Sequence, residues 1–522
     1  MSNNKTDIIR KSVSFTTGTK PMWQISLLLI TLSLLCLPLL EFNFATTSPL
    51  NEISKLLLAL LQPDFLIEGL IEAILQTISF AVQALSLSAL LGFFLSLIFH
   101  LPGIRQMMSI LRSVHELFWA LLLIQLFGLS TLTGLLALAI PYAATFARVF
   151  SEIQQETTKV SFRQLKGDLF SRYIYSTFIL VLPRLISFSR YRLECALRAS
   201  VILGFVGLPT LGFQLDGYLK TGQYEQVAAI IYIIIALVLS MKIWTHRYVF
   251  FALLLACTLY SPPKQADWLK VKTNRIDQFV IDLTPTPFKT EEVRSIGESI
   301  TIYFSWLTPL WTQQIMPGIA YTLLLGQFAF ALSAFLALLW FPLISKYNII
   351  SKIGRHSGHL FLVSLRSLPE LLLAFLGLII LGPSLIPGIL ALGIHNGAII
   401  AHLTGEYSNE LKVRIDVQSH SVSRSNRYFY EVLPRVYNQF LVFSLYRGEI
   451  ILRETAVLGI LGIPTLGFYI DSAFEEFRLD RAVILIAFTA CLNIFAEYVA
   501  TVCRRRMHTT LDGQHSFRIT NA

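Results

Sequence analysis

Residues 446–471 read YRGEIILRETAVLGILGIPTLGFYID, and they place several charges inside one of the most apolar parts of the chain. Residues 191–216 read YRLECALRASVILGFVGLPTLGFQLD. When the two stretches are aligned without gaps at an offset of 255 residues, 14 of 26 positions are identical. Self-similarity at a fixed spacing indicates a duplicated structural unit. The chain is therefore predicted to contain one unit written twice.

A second pair of stretches supports the duplication. Residues 111–140 (LRSVHELFWALLLIQLFGLSTLTGLLALAI) align with residues 365–394 (LRSLPELLLAFLGLIILGPSLIPGILALGI) at an offset of 254 residues. Two pairs at almost the same offset place most of each half in register.

The composition identifies the class of protein. Of 522 residues, 54% are hydrophobic and 14% are charged, whereas a soluble domain is nearer a quarter charged. Several apolar runs approach the ~20 residues that a helix needs to cross a membrane. The sequence therefore predicts an all-α polytopic membrane protein. The net charge of +10 comes from basic residues spread among short loops, as membrane topology requires, and predicts no nucleic-acid partner.

Each half is predicted to contain six membrane helices. The predicted ranges are 23–40, 72–99, 111–127, 132–150, 183–206 and 224–242 in the first half, and 247–261, 318–342, 359–382, 386–402, 433–460 and 480–503 in the second. An even number of spans makes both halves enter from the same side, so two parallel six-helix repeats are expected. Basic residues near both termini and in the loop after the fourth helix favour cytoplasmic termini.

The predicted organisation follows from these spans. The first apolar run is expected to stay as a helix, since it lacks a small-residue cleavage site. The longest polar insert is expected to form a small extracytoplasmic cap or a lateral helix. The predicted units are a tail at 1–22, a first repeat at 23–245, a second repeat at 246–503 with its insert at 262–317, and a tail at 504–522.

Charged side chains recur on one predicted helix of each half. Glu194 and Arg198 are four residues apart and could pair on one helix face, and Glu449 and Arg453 repeat this spacing. A charge at bilayer depth is costly, so it usually faces a bundle interior or a water-filled path. Guanidinium groups on such a path would suit a phosphate-like anion. The alternative is that Glu and Arg merely neutralise each other and fix helix packing.

A proline-containing loop follows each charged helix, GLPTLGF at 207–213 and GIPTLGF at 462–468. Proline cannot continue a helix, and glycine relaxes the backbone, so a break is expected here. The loop could be a gate or a substrate-facing loop near the outer mouth, where the threonine supplies a hydroxyl, or a plain extracytoplasmic turn. The candidate substrate-path residues are Arg192, Glu194, Arg198, Thr210, Arg447, Glu449, Arg453 and Thr465.

These motifs resemble the membrane subunits of phosphonate-type ABC importers. The resemblance rests on the paired YRxExxxR stretches and on the LRSVHELFWA segment, and it covers roughly 70–245 and 318–505. It implies the fold of a type I ABC importer transmembrane domain. It also implies two cytoplasmic ATPase subunits and a periplasmic substrate-binding protein as partners, besides membrane lipid. This chain would bind no cofactor, and ATP would be used by the partner subunits.

The resemblance also implies cytoplasmic coupling segments, here 151–173 and 405–428, which on their residues alone could equally be amphipathic connectors. Gly167 matches the glycine of the family's coupling motif, but Val422 stands at the corresponding place in the second half. The residues assigned to ATPase contact are Arg163, Lys166, Gly167, Asp168, Asp416, His420 and Ser421.

Two features depart from the family pattern. The usual glycine cluster after the charged helix is replaced by GLPTLG or GIPTLG, which suggests a different anion such as phosphate or phosphite. Family subunits usually carry one half and dimerise, whereas here the two halves are fused, so one chain could supply the whole channel.

The predicted function is therefore that of an inner-membrane permease in a bacterium, moving phosphonate, phosphate or phosphite by alternating access. The chain is not expected to be an enzyme, since it carries no G-x-x-x-x-G-K-[ST] phosphate loop. A secondary transporter built from 6+6 parallel repeats is the alternative. A membrane enzyme or scaffold is a third hypothesis, although the sequence shows no histidine or cysteine spacing typical of a metal site.

Overall fold

The computed structural model describes residues 20–39, 49–161, 168, 171, 173–261, 273–290, 296–347, 351–411 and 423–508. Within these ranges the regular secondary structure is entirely helical. The helices of the first half are α1 Lys20–Cys36, α2 Pro49–Leu61, α3 Leu70–Leu97, α4 Pro102–Ser113, α5 Glu116–Phe127, α6 Thr131–Ser161, α7 Ile179–Ile202, α8 Leu211–Thr221 and α9 Tyr224–Leu239.

The second half contains eleven labelled helices, with three of them between its opening helix and its long core helix. They are α10 Arg247–Tyr260, α11 Thr273–Leu283, α12 Thr286–Thr290, α13 Ile296–Leu310, α14 Met316–Trp340, α15 Lys352–Ser367, α16 Glu370–Leu381, α17 Leu385–Glu410, α18 Leu433–Thr455, α19 Leu466–Glu475 and α20 Leu479–His508. α7 and α18 are each preceded by a π-helical turn and followed by a short 3₁₀ segment.

The duplication is visible in the packing. The most extensive helix packing in the first half is between α3 and α6, and the matching packing in the second half is between α14 and α17. Small residues allow these close approaches, since Gly92 of α3 lies against Phe146 of α6 and Gly393 of α17 lies against Leu332 of α14. The predicted fold class, an all-α polytopic membrane protein, is confirmed.

Among the described residues, five helices are long and apolar enough to cross a membrane, or up to eight if each sharply bent helix pair counts as one span. Three shorter apolar helices add Ser26–Leu39, Tyr224–Leu239 and Tyr248–Tyr260. The charged α18 falls outside this count. Each of the twelve predicted helices corresponds to a helix or a helix pair in the structure, but several of these differ from the prediction in length or in shape.

Two of the predicted helices are wrong as single helices, because each is a bent pair in the structure. The chain bends by 91° between α4 and α5, where 111–127 was predicted, and by 88° between α15 and α16, where 359–382 was predicted. Pro369 breaks the second helix because a proline keeps the residue before it out of the helical conformation, and Leu368 is extended (φ −74°, ψ 133°). In the first, His115 is extended and its Nδ1 accepts a hydrogen bond from the Leu117 amide at 3.2 Å, which caps α5.

Other predicted boundaries also shift. α6 and α17 continue to Ser161 and Glu410, so helix extends into both predicted coupling segments. The described part of the predicted insert 262–317 forms α11, α12 and α13. α13 then continues through a π-helical turn into α14, which makes a candidate span of 47 residues from Gly297 to Leu343.

The opening helix of each half packs on the other half. α1 lies against α14, where the Gln327 side chain donates to Ser33 Oγ at 2.9 Å. α10 lies against α3, where Gln83 donates to the carbonyl oxygens of Cys257 at 2.8 Å and Ser261 at 3.1 Å. This exchange of helices ties the two repeats into one structural unit.

Candidate functional site

The two charged helices, α7 and α18, line a small cavity between the repeats. Its volume is about 110 Å³. Five of the eight predicted substrate-path residues line it, all except Glu194, Thr210 and Thr465. The ionisable residues that line this central cavity are Arg112, His115, Glu116, Tyr142, Tyr191, Arg192, Cys195, Arg198, Glu370, Tyr446, Arg447, Glu449, Arg453 and Glu454.

Two equivalent ion pairs cross from one repeat to the other. Arg112 at the end of α4 lies 3.5 Å from Glu449 of α18, and Arg366 at the end of α15 lies 3.4 Å from Glu194 of α7. All four side chains are at most one-fifth exposed. Because each pair joins a bent hairpin to the opposite charged helix, the pairs fix how the repeats meet.

Of the two Glu–Arg pairs predicted within α7 and α18, the structure contains one. Glu449 and Arg453 do pair, at 3.4 Å. Glu194 and Arg198 do not form the predicted ion pair, since Glu194 is engaged by Arg366 instead. Arg112 and Arg366 were missed as site residues, although both occupy the same place in the repeated LRS motif.

A buried polar network surrounds Arg447 in the second repeat. Arg447 Nε donates to Asn396 Oδ1 at 2.7 Å, and Arg447 Nη2 lies 3.3 Å from Glu454 Oε1. Asn396 Nδ2 donates to Glu454 Oε2 at 2.8 Å, which closes the triangle. Buried charges are stable when they are paired and hydrogen-bonded in this way. Arg447 is therefore held by partners within its own repeat.

The matching place in the first repeat has different chemistry. Tyr142 stands where the second repeat has Asn396, and Ala199 stands where it has Glu454. The Arg192 guanidinium lies over the Tyr142 ring at 4.6 Å from the ring centre, a cation–π contact. Arg198 contacts His395 Nε2 of the second repeat. Across the described chain, neither arginine forms an ion pair with a carboxylate.

Histidine and glutamate side chains that are far apart in sequence also meet in space. Glu370, His395 and Glu454 form a buried group beside the cavity, and His395 Nε2 lies 3.9 Å from a Glu370 carboxylate oxygen. A second group, His359, His402 and Glu406, lies between α15 and α17. Sequence spacing could not reveal the first group, because its members come from three helices. In the second group His402 and Glu406 are four residues apart on α17, but His359 lies on α15.

The threonines of the PTLGF loops are buried but do not reach the central cavity. Thr210 and Thr465 are fully buried at the starts of α8 and α19. Each loop is held by a hydroxyl from a neighbouring helix, Thr77 Oγ1 accepting from the Leu211 amide at 2.9 Å and Thr322 Oγ1 from the Leu466 amide at 3.0 Å. The two threonines therefore lie in helix breaks, apart from the arginines.

A larger opening lies beside these loops. Its volume is about 380 Å³, and it is lined from both repeats, including the equivalent residues Phe205 and Ile460. Asp216 and Lys220 of α8 supply its charge, and they pair with each other at 2.7 Å. We refer to it as the loop-side opening.

Six of the residues predicted to contact an ATPase lie outside the described residues, namely Arg163, Lys166, Gly167, Asp416, His420 and Ser421. The seventh, Asp168, is exposed, and its carboxylate accepts a hydrogen bond from the Ser171 amide at 3.1 Å. Their role in coupling stays a prediction.

Comparison with known proteins adds evidence of a different kind. Over 413 aligned residues the chain is 22% identical to the phosphate-import permease protein PhnE of Mycolicibacterium smegmatis, and 74% of each chain is covered. It is also 30% identical over 137 residues to the phosphite transport system permease protein PtxC of Stutzerimonas stutzeri. The chain is a relative of phosphate- and phosphite-transport permeases. This confirms the resemblance to phosphonate-type permeases.

The coverage of the two permeases fits the duplication. Equal coverage of both chains means that the mycobacterial permease has about the length of this one. The matched 137 residues are 26% of this chain and half of the phosphite permease, which therefore has about the length of one repeat. No family model matches the chain, and no solved structure matches it.

Proposed function

We propose that this multi-pass membrane protein is the permease subunit of an ABC importer for a small phosphorus oxyanion, namely phosphonate, phosphate or phosphite. The observation that carries the proposal is an arginine-lined cavity enclosed between two repeats of a chain whose relatives are named for phosphate and phosphite transport. Guanidinium groups match the geometry of such anions through paired N–H donors.

The proposed mechanism is alternating access across a bacterial inner membrane, with both termini cytoplasmic. A periplasmic binding protein would deliver the anion to the loop-side opening, and the anion would then reach the central cavity. Two separate ABC ATPase subunits would act on segments 151–173 and 405–428. Their motion would be carried inward by α6 and α17, since these helices run from the segments to residues that line the cavity or contact its arginines.

Under this proposal the chain itself neither hydrolyses ATP nor binds a cofactor. ATP would be used by the partner subunits, because the sequence holds no phosphate loop. The fused repeats would supply both halves of the channel. The cross-repeat ion pairs at Glu194 and Glu449 support this, since they are formed within one chain.

A proton-coupled secondary transporter is the second candidate. The buried Glu370, His395 and Glu454 group favours it, because ionisable side chains inside a membrane often belong to proton relays. In the importer, the same group would be structural and would hold Arg447 in place through Glu454.

Uptake of ³²P-phosphate by cells that express the chain separates the two candidates. The importer predicts that uptake is lost when the partner ATPase is inactivated at its Walker lysine, while a protonophore at constant cellular ATP has little effect. Uptake that survives inactivation of the ATPase and stops with the protonophore would establish the secondary transporter instead.

A further inference from the structure

We infer that the anion is bound by the first repeat alone, through Arg192 and Arg198, and that Arg447 and Arg453 of the second repeat are structural. This inference rests on the proposed function, since it assigns ligands within the same cavity. It replaces the expectation of a two-sided path, in which equivalent arginines of both repeats contact the substrate equally.

The arginines of the second repeat already have carboxylate partners. Arg447 is paired with Glu454 and bonded to Asn396, and only 4% of its surface is exposed. Arg453 is paired with Glu449. An entering anion would have to compete with these buried carboxylates for the same N–H donors. It would also leave Glu454 without its cation, which is costly in a low-dielectric interior.

Among the described residues, Arg192 and Arg198 of the first repeat form no ion pair with a carboxylate. Arg192 rests on the Tyr142 ring, which covers one face of the guanidinium and leaves its N–H edges open. Arg198 contacts His395 and lies 3.8 Å from Cys195 Sγ, two uncharged groups if the imidazole accepts the arginine N–H. The Nε atoms of both arginines are buried without a hydrogen-bond partner among the described residues, as is Nε of Arg453. Buried polar groups normally bond to protein or to ordered water, so the feature that sets Arg192 and Arg198 apart is that neither forms an ion pair.

The difference follows from two positions in the repeat. Ala199 replaces the carboxylate of Glu454, and Tyr142 replaces the amide of Asn396. Together they remove both hydrogen-bond acceptors that hold Arg447 in the second repeat, while the arginine itself is kept as Arg192. A positive charge without its carboxylate would be a cost in the membrane interior, and an anionic ligand would offset that cost.

Two further carboxylates line the cavity. Glu116 and Glu370 occupy the first turns of α5 and α16, and Glu370 also lies 3.9 Å from His395, the residue that Arg198 contacts. The cavity volume is about 110 Å³. This leaves room for a small tetrahedral oxyanion.

The test measures anion binding to the purified full-length chain in lipid nanodiscs, with ³²P-phosphate as the probe and phosphite, methylphosphonate and sulfate as competitors. Arg192→Gln and Arg198→Gln should each weaken binding at least tenfold and leave the melting temperature close to that of the unaltered chain. Arg190→Gln is the matched control, because Arg190 is an exposed arginine on the same helix. It should bind as the unaltered chain does.

The second repeat is tested by removing its ion pair as a unit. Arg447→Gln alone should lower the melting temperature, because Glu454 is left buried without its cation. Arg447→Gln combined with Glu454→Gln should restore the melting temperature and bind phosphate within about threefold of the unaltered chain. A neutral pair can keep the hydrogen bonds to Asn396.

The outcomes separate this inference from the proposed function. Binding that survives both first-repeat variants but is lost in the folded Arg447→Gln, Glu454→Gln variant would overturn the one-sided site. Failure of the unaltered chain to bind any of the four anions would overturn it as well. Binding that follows the prediction, in a chain whose uptake does not need an ATPase, would uphold the site and remove the importer.

Discussion

At the scale of single residues, close contact with the backbone requires glycine in the PTLGF strings. A Cβ atom on Gly212 would fall on the carbonyl oxygen of Val201, and a Cβ atom on Gly467 would fall on that of Ala456. Each loop therefore folds back against the end of its charged helix with no room for a side chain. This close approach explains why both strings keep glycine at this place.

Gly212→Ala should consequently destabilise the protein. The added methyl group meets backbone atoms that cannot rotate away, so we expect a loss of about 1–3 kcal/mol in the free energy of unfolding. Thermal unfolding in detergent, followed by circular dichroism, measures the change. Gly217→Ala is the control on the same helix, because nothing lies within 4 Å of its added Cβ. It should be neutral or slightly stabilising. Equal melting temperatures for the two variants would contradict the contact.

The sequence could predict which residues carry charge at the site, but not how they pair. Spacing of four residues shows only that two side chains share a helix face, which holds for Glu449 and Arg453. Arg366 is 172 residues from Glu194 and on another helix, so no local pattern indicates the pair. The repeated LRS motif was the available signal, since it places an arginine at the same point in both halves.

At the scale of elements, the bent hairpins α4–α5 and α15–α16 shape the site. Each bend turns an arginine-bearing helix end toward the opposite repeat, which produces the ion pairs at Glu194 and Glu449. Pro369 signalled the second bend in the sequence. The first bend has no proline or glycine, and it depends on the side-chain cap made by His115. Apolar length alone therefore predicted straight helices.

The Arg366–Glu194 pair should measurably couple α15 to α7. In a double-mutant cycle with Arg366→Gln and Glu194→Gln, we expect a coupling energy of about 1–2 kcal/mol, since both side chains are mostly shielded from solvent. Unfolding in mixed SDS micelles gives the three free-energy differences. The Lys220–Asp216 pair is the control, because its lysine is 65% exposed and it should couple by less than about 0.5 kcal/mol. Comparable coupling in both cycles would show that the cross-repeat pair does not join the helices.

At the scale of the whole molecule, the duplication and its twelve helices were predictable, because identical stretches fix the register of the two halves. The exchange of opening helices was not. It depends on Gln83 in α3 and Gln327 in α14, which do not occupy equivalent positions in the repeats. The glutamine that binds the opening helix of the other half stands at a different position in each half. Comparing the two halves therefore does not reveal the exchange.

The exchange predicts how a divided chain behaves. If the chain is cut between Thr245 and His246, the fragment 1–245 keeps α1, which packs on α14, and the fragment 246–522 keeps α10, which packs on α3. Co-expressed fragments should therefore purify as a one-to-one complex through a tag on either one. Each fragment expressed alone should be degraded, because its exchanged helix and its half of each cross-repeat ion pair lack a partner.

Gln83→Leu tests whether the exchange holds this complex together. It removes two hydrogen bonds between α3 and α10, each worth about 0.6 kcal/mol in a membrane bundle, so recovery of the second fragment should fall roughly five- to tenfold. Gln226→Leu serves as the control, since its bond joins two segments of the first fragment only, at Asp64. A stable fragment 1–245 that assembles with itself and ignores its counterpart would show that the repeats are independent units, each able to form a channel with its own copy.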